Sequence, residues 1–311
     1  MITVFMGSPD FALPALQSLM SNQYDVRAVY TQPDKPTGRG RQFMACPVKR
    51  FAVSQGMRVI QPESLKDSQA VEVLAALKPD IIIVAAYGQI LPAVVLDLPR
   101  YKCVNIHPSL LPRYRGPSPV AAPILNGDPV TGVTIMLIER KVDSGPILSQ
   151  EEMAISDEDT TGSLSERLAV IGARKLVETI PRWVEGKIGP GLQDDSRASY
   201  TRMETKEDGL LDWKLPAVVL WRRVRAYHPW PGCYFDWKGG RLRVMKAIPM
   251  LDVEGGEAGR VIVLPRTAAA RVAVRTADGL LGLISVQPEG KREMTASDFS
   301  AGHRDFAGSV L

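Results

Sequence analysis

The amino-acid sequence predicts an α/β fold: a Rossmann-like, doubly wound, mostly parallel sheet followed by a small OB-like β-barrel. Apolar strand-like runs alternate with helical segments through the first half of the chain, a pattern that calls for parallel strands with helices on their faces. Beyond residue 204 the period shortens, and Gly239-Gly240 and Asp278-Gly279 separate short strand-like runs as hairpin signals. A length of 311 residues accommodates two such domains.

The elements follow in order. Ile2–Gly7 reads as the first buried strand and Pro9–Met20 as the first helix. The alternation continues with strand Val26–Thr31 and helix Pro47–Gln55, strand Arg58–Ile60 and helix Ser68–Leu77, then strands Asp80–Ala86 and Lys102–Ile106. Gly132–Ile138 and Pro146–Met153 read as further strands, and Ser163–Glu185 carries Leu164, Leu168, Ile171, Leu176, Val177 and Ile180 at a helical period that closes the domain. Residues 187–204, rich in Gly, Asp, Ser and Pro, have linker composition, which leaves 1–186 as the α/β domain and 205–311 as the barrel. Residues 1–204 are expected to fold alone. In the last part a helix over Pro216–Tyr227 precedes strands Cys233–Trp237, Arg241–Ile248, Arg260–Leu264, Arg271–Thr276 and Leu280–Val286; five short strands suit an OB-like barrel.

Composition excludes several classes. Hydrophobic residues at 45% and charged residues at 23% argue against disorder and disulfide-stapled miniproteins. Three cysteines without CxxC spacing and three dispersed histidines leave little material for a structural metal site and fit a reducing, cytoplasmic setting. The N-terminus carries no export signal, and the uncharged run from Ile81 to Leu96 is shorter than the roughly 20 residues that span a bilayer. No membrane association is expected. The net charge of +4 is uneven: residues 205–311 hold 16 basic against 12 acidic side chains, and Lys35, Arg39, Arg41, Lys49 and Arg50 cluster early. Such a distribution suits an anionic partner, although a solvated basic surface would look the same.

The dinucleotide fingerprint is missing, since strand one ends in Gly7-Ser-Pro-Asp10 rather than GxGxxG. Ligands should still gather at the carboxyl ends of the strands. Asn105 and His107 leave one such strand two residues apart and point the same way, so together they can donate hydrogen bonds to a carbonyl oxygen gaining charge. A structural role for the pair remains open on spacing alone. Asp143, in Lys141-Val-Asp-Ser-Gly-Pro146, is the carboxylate best placed to orient or charge His107, with a turn aspartate as the alternative.

These residues carry a resemblance. Asn105-x-His107-Pro-Ser-Leu-Leu-Pro112-x-Tyr-Arg-Gly116, with Gly132-Val-Thr-Ile-Met136 and Asp143-Ser-Gly145, resembles the signature of the folate-dependent formyltransferases. Supporting segments are Phe5–Phe11, Thr31–Gly40, Ala86–Pro92, Asp208–Trp213 and Arg225–Pro231, so the likeness runs nearly the whole chain. Pro108 departs from the glycine more usual there. The resemblance implies a 10-formyltetrahydrofolate donor held near Ser109, Leu110, Leu111 and Pro112 and near the turn of Tyr87, Gly88, Ile90, Leu91 and Pro92. It implies as acceptor the amino group of methionine on initiator tRNA, used in translation initiation by a monomeric enzyme without metal. Asn105 and His107 would stabilise the oxyanion, Asp143 would favour the charged imidazole, and Lys35, Arg39 and Arg41 would meet the acceptor stem. Two other readings compete: an amino-sugar nucleotide acceptor, which has less use for the basic loop, and a non-catalytic RNA-binding protein, against which the intact Asn105, His107 and Asp143 argue.

Overall fold

The computed structural model describes residues 1–37, 42–250 and 256–311. In chain order the first part runs β1 (Ile2–Gly7), α1 (Leu13–Ser21), β2 (Asp25–Tyr30), β3 (Lys35–Thr37), β4 (Gln42–Met44), α2 (Pro47–Ser54), β5 (Val59–Ile60), α3 (Ser68–Ala76), β6 (Ile81–Ala85), α4 (Ala93–Leu96) and β7 (Cys103–His107). It continues with α5 (Ala121–Asn126), β8 (Val130–Leu137), β9 (Ile147–Ala154) and α6 (Thr161–Val184). Seven strands form one sheet in the order β5-β2-β1-β6-β7-β8-β9. β5, β2, β1, β6 and β7 pair in parallel, whereas β7-β8 and β8-β9 are antiparallel.

This topology places the site. Strand order reverses about β1, with β2 on one side and β6 on the other, so a crevice opens at the carboxyl ends of the central strands. The core strands are apolar on both faces, as strands covered on both sides must be: Val4, Phe5, Met6 and Ile81, Ile82, Ile83 are fully buried. Local chemistry starts the helices where the sequence predicts them. Pro47 opens α2 behind a Cys46 cap, and the Asp67 carboxylate accepts from the Gln69 N–H at 3.1 Å to cap α3. The predicted helix Pro9–Met20 divides into a single 3-10 turn, Asp10–Ala12, and α1, whose second residue is Pro14. The Pro-rich stretch 33–47 contains an unforeseen antiparallel pair, in which β3 and β4 align Lys35 with Met44 and Pro36 with Phe43.

The second part contains α7 (Ala217–Ala226), β10 (Cys233–Trp237), β11 (Gly240–Met250), β12 (Val261–Val263), β13 (Val272–Arg275), β14 (Leu280–Pro288), β15 (Met294–Thr295) and α8 (Ala296–Gly302). The five expected strands form an antiparallel sheet in the order β10-β11-β14-β13-β12, and the short β15 joins β14. β15 and α8 escaped the sequence reading because a two-residue strand has no measurable period, although Thr295 is a good helix cap whose hydroxyl accepts from the Asp298 N–H at 3.1 Å.

By compactness the chain forms two units. One comprises Met1–Pro119, Val130–Ala154 and Ser165–Thr201; the other comprises Val120–Pro129, Ile155–Leu164 and Arg202–Leu311. Residues 191–201, linker-like in composition, bond extensively to the first unit. Among the described residues no helix is long and apolar enough to cross a membrane, and no group of three or more His, Cys, Asp and Glu side chains is arranged to hold a metal.

Candidate active site

Asn105 and His107 occupy the end of β7, between parallel β6 and antiparallel β8. Asn105 pairs with Val84 on β6, immediately before the Ala86–Pro92 turn, and His107 pairs with Thr134 on β8. The Asn105 side chain is half-buried and makes no hydrogen bond among the described residues, so its amide is free for a ligand. An amide fixed on a rigid strand with its donors unspent is preorganised to meet developing charge.

His107 is buried at 3% exposure, with one polar neighbour at each ring nitrogen. Its Nε2 lies 3.1 Å from the Tyr114 carbonyl oxygen, and its Nδ1 lies 3.7 Å from Asp143 Oδ2. A carbonyl oxygen only accepts, so Nε2 carries a hydrogen, and in the neutral ring Nδ1 holds the lone pair. Burial pulls the imidazole pKa below its ordinary value, while the Asp143 charge and the Tyr114 carbonyl oppose that shift without overcoming it. The resting ring is therefore a neutral base at Nδ1.

Asp143 is fixed by backbone. Its Oδ2 accepts from the Gly116 N–H at 2.8 Å. Gly116 has φ +111, and a Cβ there would lie 2.8 Å from the Thr201 carbonyl oxygen, so only glycine brings its N–H to the carboxylate without displacing the chain. Tyr114 and Asp143 themselves adopt φ +62 and +51, left-handed shapes that cost non-glycine residues of order 1 kcal/mol each and cluster where function demands them.

The 109–112 segment rests on polar residues that hydrophobic patterning did not single out. Thr134 Oγ1 donates to the Ser109 carbonyl at 2.7 Å and accepts from the Leu111 N–H at 3.2 Å. Gln150 Nε2 donates to the Leu111 carbonyl at 2.9 Å and to Thr134 Oγ1 at 2.8 Å, while Ser109 Oγ donates to the Arg113 carbonyl at 2.7 Å. The available signal was a threonine between the apolar Val133 and Ile135; Thr134 is fully buried and so needs partners, whereas Gln150 is exposed.

The turn after β6 is divided. Tyr87 and Leu91 are buried in the core with Tyr30, Leu65 and Val95, so their side chains support the turn from beneath. Gly88 takes φ +82, and Ile90 stands 71% exposed, leaving the Ile90 side chain and the turn backbone accessible to a ligand. Of the basic group, Lys35 is exposed on β3; Arg39 and Arg41 lie outside the described residues.

The formyl transferase family profile matches residues 1–180, and the formyl transferase C-terminal domain profile matches residues 204–304. A methionyl-tRNA formyltransferase of Roseiflexus sp. is 48% identical over 309 residues, covering 99% of this chain and 94% of that protein. This chain belongs to the methionyl-tRNA formyltransferase family. Another member of that family, from Dehalococcoides mccartyi, is 47% identical over 308 residues, covering 99% of this chain and 97% of its own. The fold extends beyond the methionyl-tRNA formyltransferases. The N-formyltransferase from Helicobacter canadensis, solved with folinic acid and dTDP-3-aminofucose, superposes with a TM-score of 0.67 at 19% identity over 91% of this chain and 99% of that one. HypX from Aquifex aeolicus, solved with tetrahydrofolic acid, gives a TM-score of 0.65 at 17% identity over 96% of this chain and 46% of that one.

Proposed function

We propose that this protein transfers the formyl group of 10-formyltetrahydrofolate to the amino group of methionine esterified to initiator tRNA. The observation that carries the reading is an Asn105 amide with no hydrogen bond among the described residues, two residues from a buried His107 whose Nδ1 lies 3.7 Å from the partly buried Asp143 of the β8–β9 loop. Full-length likeness to methionyl-tRNA formyltransferases supports the acceptor. The exposed Ile90 and the open backbone of the 88–92 turn suit the flat, largely apolar pterin of the donor, and the pinned 109–112 segment suits the other side of the same group. Lys35, Arg39 and Arg41, beside prolines that restrict the chain, suit the phosphates of an acceptor stem.

The donor supplies an electrophilic formyl carbon. Asn105 offers its amide hydrogens to the formyl oxygen as that oxygen gains negative charge. His107 accepts at Nδ1 the proton that the attacking amine must lose, and Asp143 Oδ2, 3.7 Å away, stabilises the imidazolium so formed. Tyr114 keeps the ring in the tautomer that has a basic Nδ1. His107 thus becomes a cation beside the developing oxyanion and afterwards returns the proton to the departing donor nitrogen. Both roles of the histidine, base and charge stabiliser, follow from one geometry.

The test is transfer of labelled formyl from 10-formyltetrahydrofolate to charged initiator tRNA, with uncharged tRNA and an amino-sugar nucleotide as parallel acceptors. Label on the charged tRNA alone is the expected result. Label on the sugar nucleotide and none on the tRNA overturns the acceptor while leaving the chemistry intact.

A further inference from the structure

Arg115 is a fully buried cation that the proposed reaction does not use. A buried guanidinium persists only where its donors are matched, and here the partners come from residues of linker-like composition. Arg115 Nη2 reaches Asp195 Oδ1 at 2.7 Å and Gln193 Oε1 at 2.8 Å, Nε reaches the same Gln193 oxygen at 3.1 Å, and Nη1 reaches the Tyr200 hydroxyl at 3.1 Å. Gln193 spends its other end on the catalytic loop. Its Nε2 donates to the carbonyl oxygens of Asp143 at 2.9 Å and of Gly145 at 2.7 Å. Asp195 Oδ2 meets Lys141 Nζ, in the same loop, at 3.3 Å.

The loop is thus gripped on both sides of Asp143, whose left-handed backbone, φ +51, is one that an untethered aspartate rarely adopts. We propose that Gln193, anchored by Arg115, is a positioning residue that sets the Asp143 carboxylate against His107 through its two bonds to the 143 and 145 carbonyls. The proposal rests on the role assigned to Asp143 above. Gln193 spends its polar atoms on Arg115 and on the two loop carbonyls. It acts at one remove, because a carboxylate displaced by a fraction of an ångström from an ion-pair distance of 3.7 Å stabilises the imidazolium less.

The experiment compares Gln193→Glu with Gln193→Met and with Asp143→Asn, reading kcat, both KM values, the pH profile of kcat and thermal stability. Gln193→Glu keeps an oxygen for Arg115 but has no N–H for the two carbonyls; Gln193→Met keeps length and loses both. If Gln193 positions Asp143, Gln193→Glu lowers kcat by about 10- to 100-fold with both KM values unchanged, and its acidic limb shifts in the same direction as that of Asp143→Asn. In the Asp143→Asn background, Gln193→Glu then lowers kcat by less than about threefold, because the group being positioned has already lost its charge. If Gln193 serves only to satisfy Arg115, Gln193→Glu has wild-type kcat and pH profile while Gln193→Met is unstable, and the proposal is overturned. Full activity and an unshifted profile in Asp143→Asn overturn the role of Asp143 and this proposal together; impaired Asp143→Asn with unimpaired Gln193→Glu overturns this one alone.

Discussion

Three influences act on the proton of His107 in opposite directions. Burial favours the neutral ring, and the Asp143 charge and the Tyr114 carbonyl favour the cation; burial wins, so the ring titrates below its ordinary value and is a base at neutral pH. Activity through a neutral imidazole falls as pH drops through that lowered pKa. Asp143→Asn removes the principal influence raising the pKa, so the acidic limb of kcat moves to still lower pH. At the same time kcat falls by about 10² or more, because the imidazolium formed during transfer loses its counter-charge. Titration of the acceptor amine is common to both proteins and cancels in the comparison. An unshifted limb at full turnover returns Asp143 to the role of a turn aspartate. Asn105 is tested by a different signature. Its amide makes no hydrogen bond among the described residues, so Asn105→Ala should lower kcat by about 10²–10³ while the melting temperature stays within about 2 °C of wild type. A stability loss of several degrees with little change in turnover would make it a structural amide instead.

At the scale of elements, β8 and β9 serve the site through their polar residues. Thr134 is fully buried and bonded to Ser109, Leu111 and Gln150. Thr134→Val keeps the shape and removes the hydroxyl, leaving the Leu111 N–H and Ser109 carbonyl without a partner at a cost of about 1–3 kcal/mol for each unsatisfied group. The 109–112 segment should loosen, raising KM for the folate donor several-fold while KM for tRNA is unchanged; equal rises in both would show a general loss of structure. This network also marks how far the sequence was legible. The period-2 and period-3.6 patterns located β1, β10 and α2 within a residue or so, because burial on a sheet face or helix stripe is written in local spacing. Asn105 and His107 were legible as candidates leaving one strand, and Asp143 as a candidate carboxylate in the loop between two others. Thr134, Gln150, Gln193 and Arg115 were not, because their roles depend on partners as far as 85 residues away that local spacing does not encode. The β3–β4 pair was obscured by Pro36, which argues against a strand yet is tolerated in a two-stranded sheet, where both strands are edges. The basic residues of the 33–47 stretch carry an expectation of their own. Arg39→Ala should raise KM for tRNA, or lower kcat, without changing folate binding, and should narrow the preference for an acceptor with a mismatched first pair over a paired one. An unchanged ratio between those acceptors would leave the segment that carries Arg39 at most a phosphate clamp.

At the scale of the whole molecule, the compact units do not follow the order of the chain, which passes from one to the other five times. Residues 120–129 and 155–164 precede the linker-like segment yet belong with residues 202–311, and the bonds within that unit explain why. Arg225 on α7, nearly buried, donates through Nε to the Asp159 carbonyl at 2.9 Å and through Nη2 to the Ser156 carbonyl at 2.5 Å. Thr161 Oγ1 donates to the Ala226 carbonyl at 2.6 Å, and α5, which buries Ala121, Pro123 and Ile124, packs on α7. A fragment ending at residue 204 keeps α5 and the 155–164 segment and discards α7. It therefore exposes the apolar face of α5, at about 1.5–3 kcal/mol for the Ile124 side chain alone, and returns two carbonyls and a hydroxyl to water. A loss of about 3 kcal/mol corresponds to roughly 6–12 °C in melting temperature for a chain of this size. The 1–204 fragment, expected from its alternating pattern to fold alone, should instead melt at least that far below the intact protein and bind a hydrophobic dye that the intact protein does not. Arg225→Met in the full chain separates the two contributions: it removes the polar ties and keeps α7, so it should lower the melting temperature by less than the truncation and bind no dye. If the fragment melts within about 2 °C of the full chain, α5 is stable without its helical partner and residues 1–204 are an independent folding unit after all.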